Sequence, residues 1–378
     1  MVNAVISEFN PFHNGHKYLL EQAAKKTGAE FTVCFMSGDF VQRGDIAYAN
    51  KHLRAAVACK NGADIVFALP TAYAVSSASH FARAGVFMAN SLGVDTTLCF
   101  GSESESIDPL FALAKIDRNA LADEFKNQIK TGKSFGDALT ASYSVLGADA
   151  TPLKTPNNLL AFEYIKEALA QNGNIKISNV KRAAIDHDSE IANGEFASAS
   201  YIRKNGGQNC GGFMPEIIDD QIDRKTFDTI LMYAIMSKTA DELSAFADMS
   251  EGIENRFFEA AKVAKTPDEL FELVKSKRYT HAKIRRAAMS VLLQAPKGLC
   301  ATPVPYLKVL AFNDKGRQLL KTLEKTCSLP VVTKASDGKN ISQKHFELEC
   351  RASDIYSFCM KQKRDGGSEY THSPVYVK

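Results

Sequence analysis

Four short apolar runs recur at intervals of about thirty residues through the first hundred positions: Val2–Ser7, Phe31–Met36, Asp64–Leu69 and Thr96–Phe100. Between them lie stretches with helical periodicity, His16–Lys26, Ala47–Asn61 and Ser77–Asn90. The apolar runs are nearly continuous rather than alternating, which is the pattern of strands buried on both faces by covering helices. Strand and helix repeating at this spacing build βαβ units. The fold class that follows is α/β, a doubly wound parallel sheet at the N-terminal end of the chain.

The rest of the 378 residues reads differently. Ile107 to Gln171 is helical, with breaks at Gly132 and Thr151–Pro156, and Asn174–Val180 is a further β-like run that returns to the sheet. The glycine-rich stretch at 205–212, NGGQNCGG, is the best linker candidate. Beyond it, Asp223–Ala247, Ser250–Ala264, Pro267–Val274 and Lys283–Gln294 read as consecutive helices, followed by a helix at Asn313–Cys327 and a short β-like run at Leu329–Thr333. The expected division is a catalytic α/β domain over residues 1–205 and a mainly helical domain over 213–378.

Charge and cysteine usage narrow the function classes. Lys and Arg outnumber Asp and Glu by only 46 to 43, so any nucleic-acid site is a local patch rather than the whole surface. No apolar run approaches the roughly 20 residues of a membrane span, and the N-terminus lacks the basic start and apolar stretch of a signal peptide. None of the eight cysteines sits at C-x-x-C spacing. Zinc ribbons and disulfide frameworks need such clustering, so the thiols read as reduced in a cytoplasmic protein.

The chemistry concentrates where the first strand ends. Asn10-Pro11-Phe12-His13-Asn14-Gly15-His16 runs directly into a helix. In open α/β sheets, ligands lie at the carboxyl ends of strands beside helix N-termini, where free N–H groups and the helix dipole favour phosphate. His13 and His16 can place imidazole donors on phosphate oxygens, and Gly15 lets a ligand approach the backbone. Two other readings of the pair are a metal site, for which companion ligands are missing, and a turn capped by two structural histidines.

His13-Asn14-Gly15-His16 resembles the His/Thr-x-Gly-His signature of the nucleotidyltransferase superfamily, and the longer string Glu8–His16 resembles the tRNA(Met) cytidine acetate ligases. Further strings match that family in collinear order: Met36–Gly44, Lys51 with Arg54, Asn61–Asp64, Phe100–Glu103, Pro156–Asn158, Lys181-Arg182, Ser198–Arg203 and Ser276–Tyr279. The resemblance implies a Rossmann-like nucleotidyltransferase fold and a two-step activity. Acetate is joined to ATP as acetyl-adenylate with release of pyrophosphate, and the acetyl group passes to N4 of the wobble cytidine of elongator tRNA(Met). It implies ATP as cofactor, Mg²⁺ is expected with the phosphate chemistry, and no membrane partner is expected. The alternative is a small-molecule adenylyltransferase of the phosphopantetheine or nicotinate-nucleotide kind. Such enzymes seldom need a large helical appendage with a basic patch.

Site residues are implied in the same way. His13, His16 and Arg203 are catalytic candidates. The nucleotide contacts are Ile6, Ser7, Glu8, Phe9, Asn10, Pro11, Phe12, Asn14, Gly15, Lys17, Tyr18 and Leu19 around the first turn, with Gly101, Asn157 or Asn158, Arg182, Ser198 and Ser200. Ala199 stands where the superfamily's second motif carries a hydroxyl, which leaves Ser198 and Ser200 as competing phosphate ligands, and Ser198 also reads as a simple N-cap. The asparagines also read as caps of the helix that follows them. No metal ligand can be named beyond a guess at Asp39.

RNA contacts are expected at Arg43, at Lys51 and Arg54 on one helix face at i, i+3 spacing, and along 275–286. That segment, KSKRYTHAKIRR, holds Lys277, Arg278, Lys283, Arg285 and Arg286, interleaves Tyr279, and contains no acid. Cations there would neutralise phosphates and an aromatic ring could stack an unpaired base. A solvated helix start is the plainer reading of the same residues. Lys361–Arg364 is a weaker basic cluster.

Overall fold

A computed structural model describes residues 1–133, 135–171, 173–182 and 194–378. Strands β1 (Val2–Ser7), β2 (Phe31–Ser37), β5 (Ile65–Leu69), β6 (Thr96–Ser102) and β7 (Lys176–Lys181) form the parallel part of the sheet, and the hairpin strands β3 (Phe40–Val41) and β4 (Asp45–Ile46) interrupt the run after β2. β8 (Leu307–Phe312), β9 (Val331–Val332) and β10 (Val375–Tyr376) come from the far end of the chain. The order across the sheet is β10-β8-β5-β2-β1-β6-β7, with β9 pairing β8.

β1 pairs in parallel with β2 through Val2↔Phe31 to Ser7↔Met36 and with β6 through Val2↔Thr96. The chain therefore winds outward from β1 through β2 and β5, then returns to place β6 on the other side of β1. This reversal is the switch point at which doubly wound sheets open a crevice beyond their carboxyl ends. The two faces are covered as the apolar runs require. Val5, Cys34, Met36 and Val66 pack with Leu20 and Ala23 of helix α1 (Asn14–Thr27) and Ala55 and Ala58 of helix α2 (Lys51–Lys60). Ala4, Ile6, Val33, Phe35 and Phe67 face the helices Ala78–Ser91 and Pro156–Ala170.

The sheet crosses the expected boundary between domains. β8 lies antiparallel to β5, with Ile65↔Phe312 and Ala68↔Lys308, and β10 is parallel to β8. Most of 213–378 is helical, with Arg224–Met236, Ile253–Ala261, Pro267–Val274 and His281–Leu292 in its middle and Asp314–Thr326 and Gln343–Phe358 in its tail, and the tail also adds β8, β9 and β10 to the N-terminal sheet. The glycine-rich stretch is no open linker either. Gln208–Phe213 is a 3₁₀ turn, and the Gly207 N–H donates to Tyr48 Oη at 2.9 Å. The expected helix over Asp223–Ala247 breaks after Met236, because Thr239 and Glu242 form a capping box that starts the new turn Ala240–Leu243.

Candidate active site

The turn between β1 and α1 folds the way its sequence demands. His13 is extended (φ −141°, ψ 172°) and is the N-cap of α1. Its Nδ1 accepts the Gly15 N–H at 3.1 Å, while His16 Nδ1 accepts the His13 N–H at 3.3 Å. This is a capping box in which two imidazoles replace the usual hydroxyl and carboxylate. Because each ring accepts at Nδ1, the neutral tautomer carries its hydrogen on Nε2. The rings stack with centroids 3.7 Å apart, and His16 leans edge-on against Phe9 at 5.0 Å. Gly15 is required by this packing: a Cβ there would lie 2.9 Å from His13 Cε1. Phe9 holds φ at +46°, a strained value for a bulky residue, directly before the motif.

The segment after residue 193 is brought to this turn. Asn14 Nδ2 donates to Glu195 O at 2.8 Å and Gly212 O at 3.0 Å. Arg203 reaches across to donate to Asn10 O at 2.6 Å and also to Ser200 Oγ at 3.0 Å. Burial draws the Arg203 guanidinium below its ordinary value against the opposing pull of Glu8. Ser198 caps the helix Ala199–Asn205 by accepting the Tyr201 N–H at 3.0 Å. Asn10 is a junction, since its Oδ1 also accepts the Tyr48 N–H at 2.7 Å. Tyr48 was not expected from sequence; it is one aromatic in a buried run and carries no motif.

On the β6 side, Gly101 lies at the strand's carboxyl end and is partly exposed. Asn158 is buried and accepts the Glu103 N–H at 3.0 Å, while Glu103 accepts the Asn158 N–H at 2.9 Å and also binds Asn157. The two asparagines thus tie the end of β6 to the following helix, and Asn157 is the more accessible. Arg182 follows β7, and its backbone N–H donates to Ser102 O at 3.0 Å.

These features match known proteins. Residues 1–370 match the HIGH Nucleotidyl Transferase family. A tRNA(Met) cytidine acetate ligase of Thermoanaerobacter sp. (strain X514) is 34% identical over 97% of this chain and 98% of its own length. That of Bacillus subtilis (strain 168) is 32% identical over 98% of this chain and 96% of its own length. The crystal structure of Thermotoga maritima TmcAL (apo, form I) superposes with a TM-score of 0.92 at 28% identity, covering 100% of this chain and 99% of that one. The form bound with alpha-thio ATP gives 0.89 at the same identity and coverage. The chain belongs to the tRNA(Met) cytidine acetate ligase family.

Within this family frame the structure shows where each expected contact residue sits. Ile6, Phe9, Pro11 and Phe12 are buried. Ser7, Glu8, Lys17, Tyr18 and Leu19 remain partly exposed around the turn. Lys51 and Arg54 are not a solvated RNA-facing pair. Arg54 is fully buried and donates to Ala49 O at 2.8 Å, Glu8 O at 2.5 Å, Ser37 O at 3.2 Å and Gly38 O. It staples together the carboxyl ends of β1 and β2, where strand carbonyls converge without a ladder partner. Lys51 is bound to Asp39 at 2.9 Å and to Glu369, both buried. Asp39, the guessed metal ligand, is thus taken up by Lys51 and Ser353. Burial opposes its ionisation, but Lys51 and Arg54 outweigh that and hold its carboxyl below the ordinary range.

The basic segment divides in the same way. Lys277 and Arg278 are exposed. Tyr279 is buried and donates to Glu251 O, so its ring is not a stacking platform. Arg286 is also buried and pairs with Asp248 at 3.0 Å, Lys283 pairs with Glu251 at 2.9 Å, and Arg285 lies 3.8 Å from Asp268. Gly44, at φ +76°, lets the hairpin tip touch this helix; a Cβ there would lie 2.4 Å from Arg286 N. Arg43 beside it is partly exposed, and Arg224 clamps Asp45 at 2.7 and 3.2 Å. Among the described residues no helix is long and apolar enough to cross a membrane.

Proposed function

We propose that this chain activates acetate with ATP and transfers the acetyl group to N4 of the wobble cytidine of elongator tRNA(Met). The observation that carries the reading is the two-histidine capping box at the switch point, with Arg203 drawn to the same turn. In the first step an acetate oxygen attacks the α-phosphorus, the bond to the β-phosphate breaks, and pyrophosphate leaves. His13 and His16 donate from Nε2 as charge builds on the phosphate oxygens, and Arg203 with Ser198 or Ser200 holds the β- and γ-phosphates. Gly101, Asn157 and Arg182 flank the adenosine. In the second step the cytidine N4 attacks the acetyl carbonyl, AMP leaves, and N4 loses a proton.

The names of the relatives and the ATP analogue in the Thermotoga maritima crystal support this reading. Arg43, Lys277, Arg278 and the outward parts of Lys283 and Arg285 are the proposed tRNA contacts. Among the described residues no group of three or more His, Cys, Asp or Glu side chains could hold a metal ion. A Mg²⁺ ion accompanying ATP would be held chiefly by phosphate oxygens and water rather than by a cluster of described side chains.

The test is ATP–pyrophosphate exchange by the purified protein with and without acetate, repeated with elongator tRNA(Met). Exchange that requires acetate is the expected result. Exchange indifferent to acetate in both settings would instead point to direct adenylyl transfer to another small molecule.

A further inference from the structure

The proposed chemistry makes no use of the polar cluster at the base of the β3–β4 hairpin. This cluster is ionic and almost wholly buried: Asp39 is 1% exposed, Lys51 3%, Ser353 2% and Glu369 2%. Lys51 Nζ binds Asp39 Oδ2 at 2.9 Å, Glu369 Oε1 and Ser353 Oγ at 2.6 Å. The Ser353 hydroxyl lies 2.9 Å from Asp39 Oδ2 and 2.8 Å from Glu369 Oε1, and Lys308 on β8 binds the other oxygen of Glu369. Glu369 belongs to the short turn Ser368–Thr371, which is 318 residues from Lys51 in sequence.

Asp39 closes the hairpin. Its carbonyl accepts the Ala47 N–H at 2.8 Å, its Oδ1 accepts the Lys51 N–H at 3.3 Å, and the Gly44 N–H closes the tip on Val41 O at 2.9 Å. The hairpin in turn leans on the catalytic turn, where the Gln42 N–H donates to Glu8 Oε1 at 2.8 Å. A buried ion pair contributes little net stability because desolvation cancels most of its attraction, and fixing one arrangement is the better attested use of such groups. We infer that Glu369 is a positioning residue, which through Lys51 and Asp39 fixes the β3–β4 hairpin against the carboxyl ends of β1 and β2. The C-terminal turn thereby acts on the edge of the sheet that carries the catalytic histidines, without touching them.

Amide hydrogen exchange on the full chain tests this without any substrate, so its outcome is independent of whether the proposed reaction occurs. In Glu369→Gln the Gly44 and Ala47 amides should exchange about tenfold faster, while the β1 amides of Val5 and Ser7 stay within about twofold. Acceleration confined to residues 368–371 and β10 would overturn the inference, because Glu369 would then hold only its own turn. Equal acceleration in β1 would overturn it too, as a mere loss of global stability. Should Glu369→Gln fail to fold, Ser353→Ala removes the bridging hydroxyl alone. It should raise exchange of the same two amides about threefold and leave β1 unchanged, and unchanged hairpin amides would again reject the inference.

Discussion

The carboxyl edge of the sheet is built on opposite principles on its two sides. Over β1 the His-x-Gly-His turn is closed locally, by the His13–Gly15 and His13–His16 hydrogen bonds, and neutral or backbone partners from farther along the chain, such as Asn10 O for Arg203 and Glu195 O for Asn14, gather around it. Over β2, β5 and β8 the polar groups are full charges, buried and joined by residues about three hundred positions apart, as Lys51 is to Ser353 and Glu369. A local arrangement fixes both Nδ1 atoms as acceptors within the turn itself, which on the proposed mechanism leaves Nε2 to meet the phosphates. A long-range ionic one turns every charge inward and leaves nothing for a ligand to find. The edge thus separates a reacting half from a fixing half, and mutations in the two halves should fail in different ways.

The largest effect is expected in the reacting half. His16→Ala removes one preorganised donor, which in comparable sites costs roughly 10²–10³ in rate, or ~2.7–4 kcal/mol of barrier. It also removes one arm of the capping box, worth about 1 kcal/mol of stability. Acetate-dependent exchange should therefore collapse while the urea midpoint moves little and tRNA binding persists. Equal loss of exchange and of tRNA binding would mean that the turn is structural and that the contrast between the halves is misdrawn.

The fixing half should show itself through pH. His52 follows Lys51 in α2, lies buried, and stacks on His372 at 4.7 Å. Burial, reinforced by the adjacent Lys51 ammonium and by His372 and Lys308, pulls its imidazole down from 6.5 to about 3, against the opposing pull of Asp39. A base with a lowered folded value stays neutral in the native state while the unfolded chain takes up a proton below pH 6.5. Its stability is thus complete above pH 6.5 and is lost as pH falls toward 3, by up to about 1.4 kcal/mol per pH unit. Burial draws His345 down to about 4, in the same sense. Urea unfolding at pH 7.5, 6.5 and 5.5 should show this decline, and His52→Asn should flatten much of it. An unaltered pH dependence in the variant would remove His52 from the account.

The same contrast explains what was legible in the sequence. Strands β1, β2, β5 and β6 announce themselves because burial on both faces leaves continuous apolar runs, and the His-x-Gly-His turn is visible because its geometry is satisfied within four residues. β8 escaped notice because its partner β5 lies about 240 residues earlier and Lys308, paired with Glu369, interrupts its apolar run. Lys51 and Arg54 were placed on one helix face correctly, but spacing alone does not say whether that face meets solvent or strand carbonyls. Glu369 carries no local signal at all, since its partners are chosen by tertiary closure.

The smallest and most local effect concerns the basic segment, where the two principles meet. Six cations lie within residues 275–286, yet Arg286 and Lys283 are already paired with Asp248 and Glu251, and Arg285 sits over the Phe271 ring at 5.5 Å. Lys277 and Arg278 are exposed, and the Arg278 guanidinium makes only a long contact, Nη1 to Glu251 O at 3.5 Å, among the described residues. They should therefore carry more of the salt dependence than their number suggests. Each phosphate contact contributes roughly 0.7–0.9 to the slope of log K against log salt, so replacing both with Ala should lower that slope by about 1.5. Arg286→Ala should change it far less, because that guanidinium is spent on Asp248. Filter binding of elongator tRNA(Met) across a salt series decides between them. If the Arg286 variant flattened the slope as much as the double variant, the buried cation would be reaching RNA after all, and the division between inward and outward charge would not extend beyond the sheet.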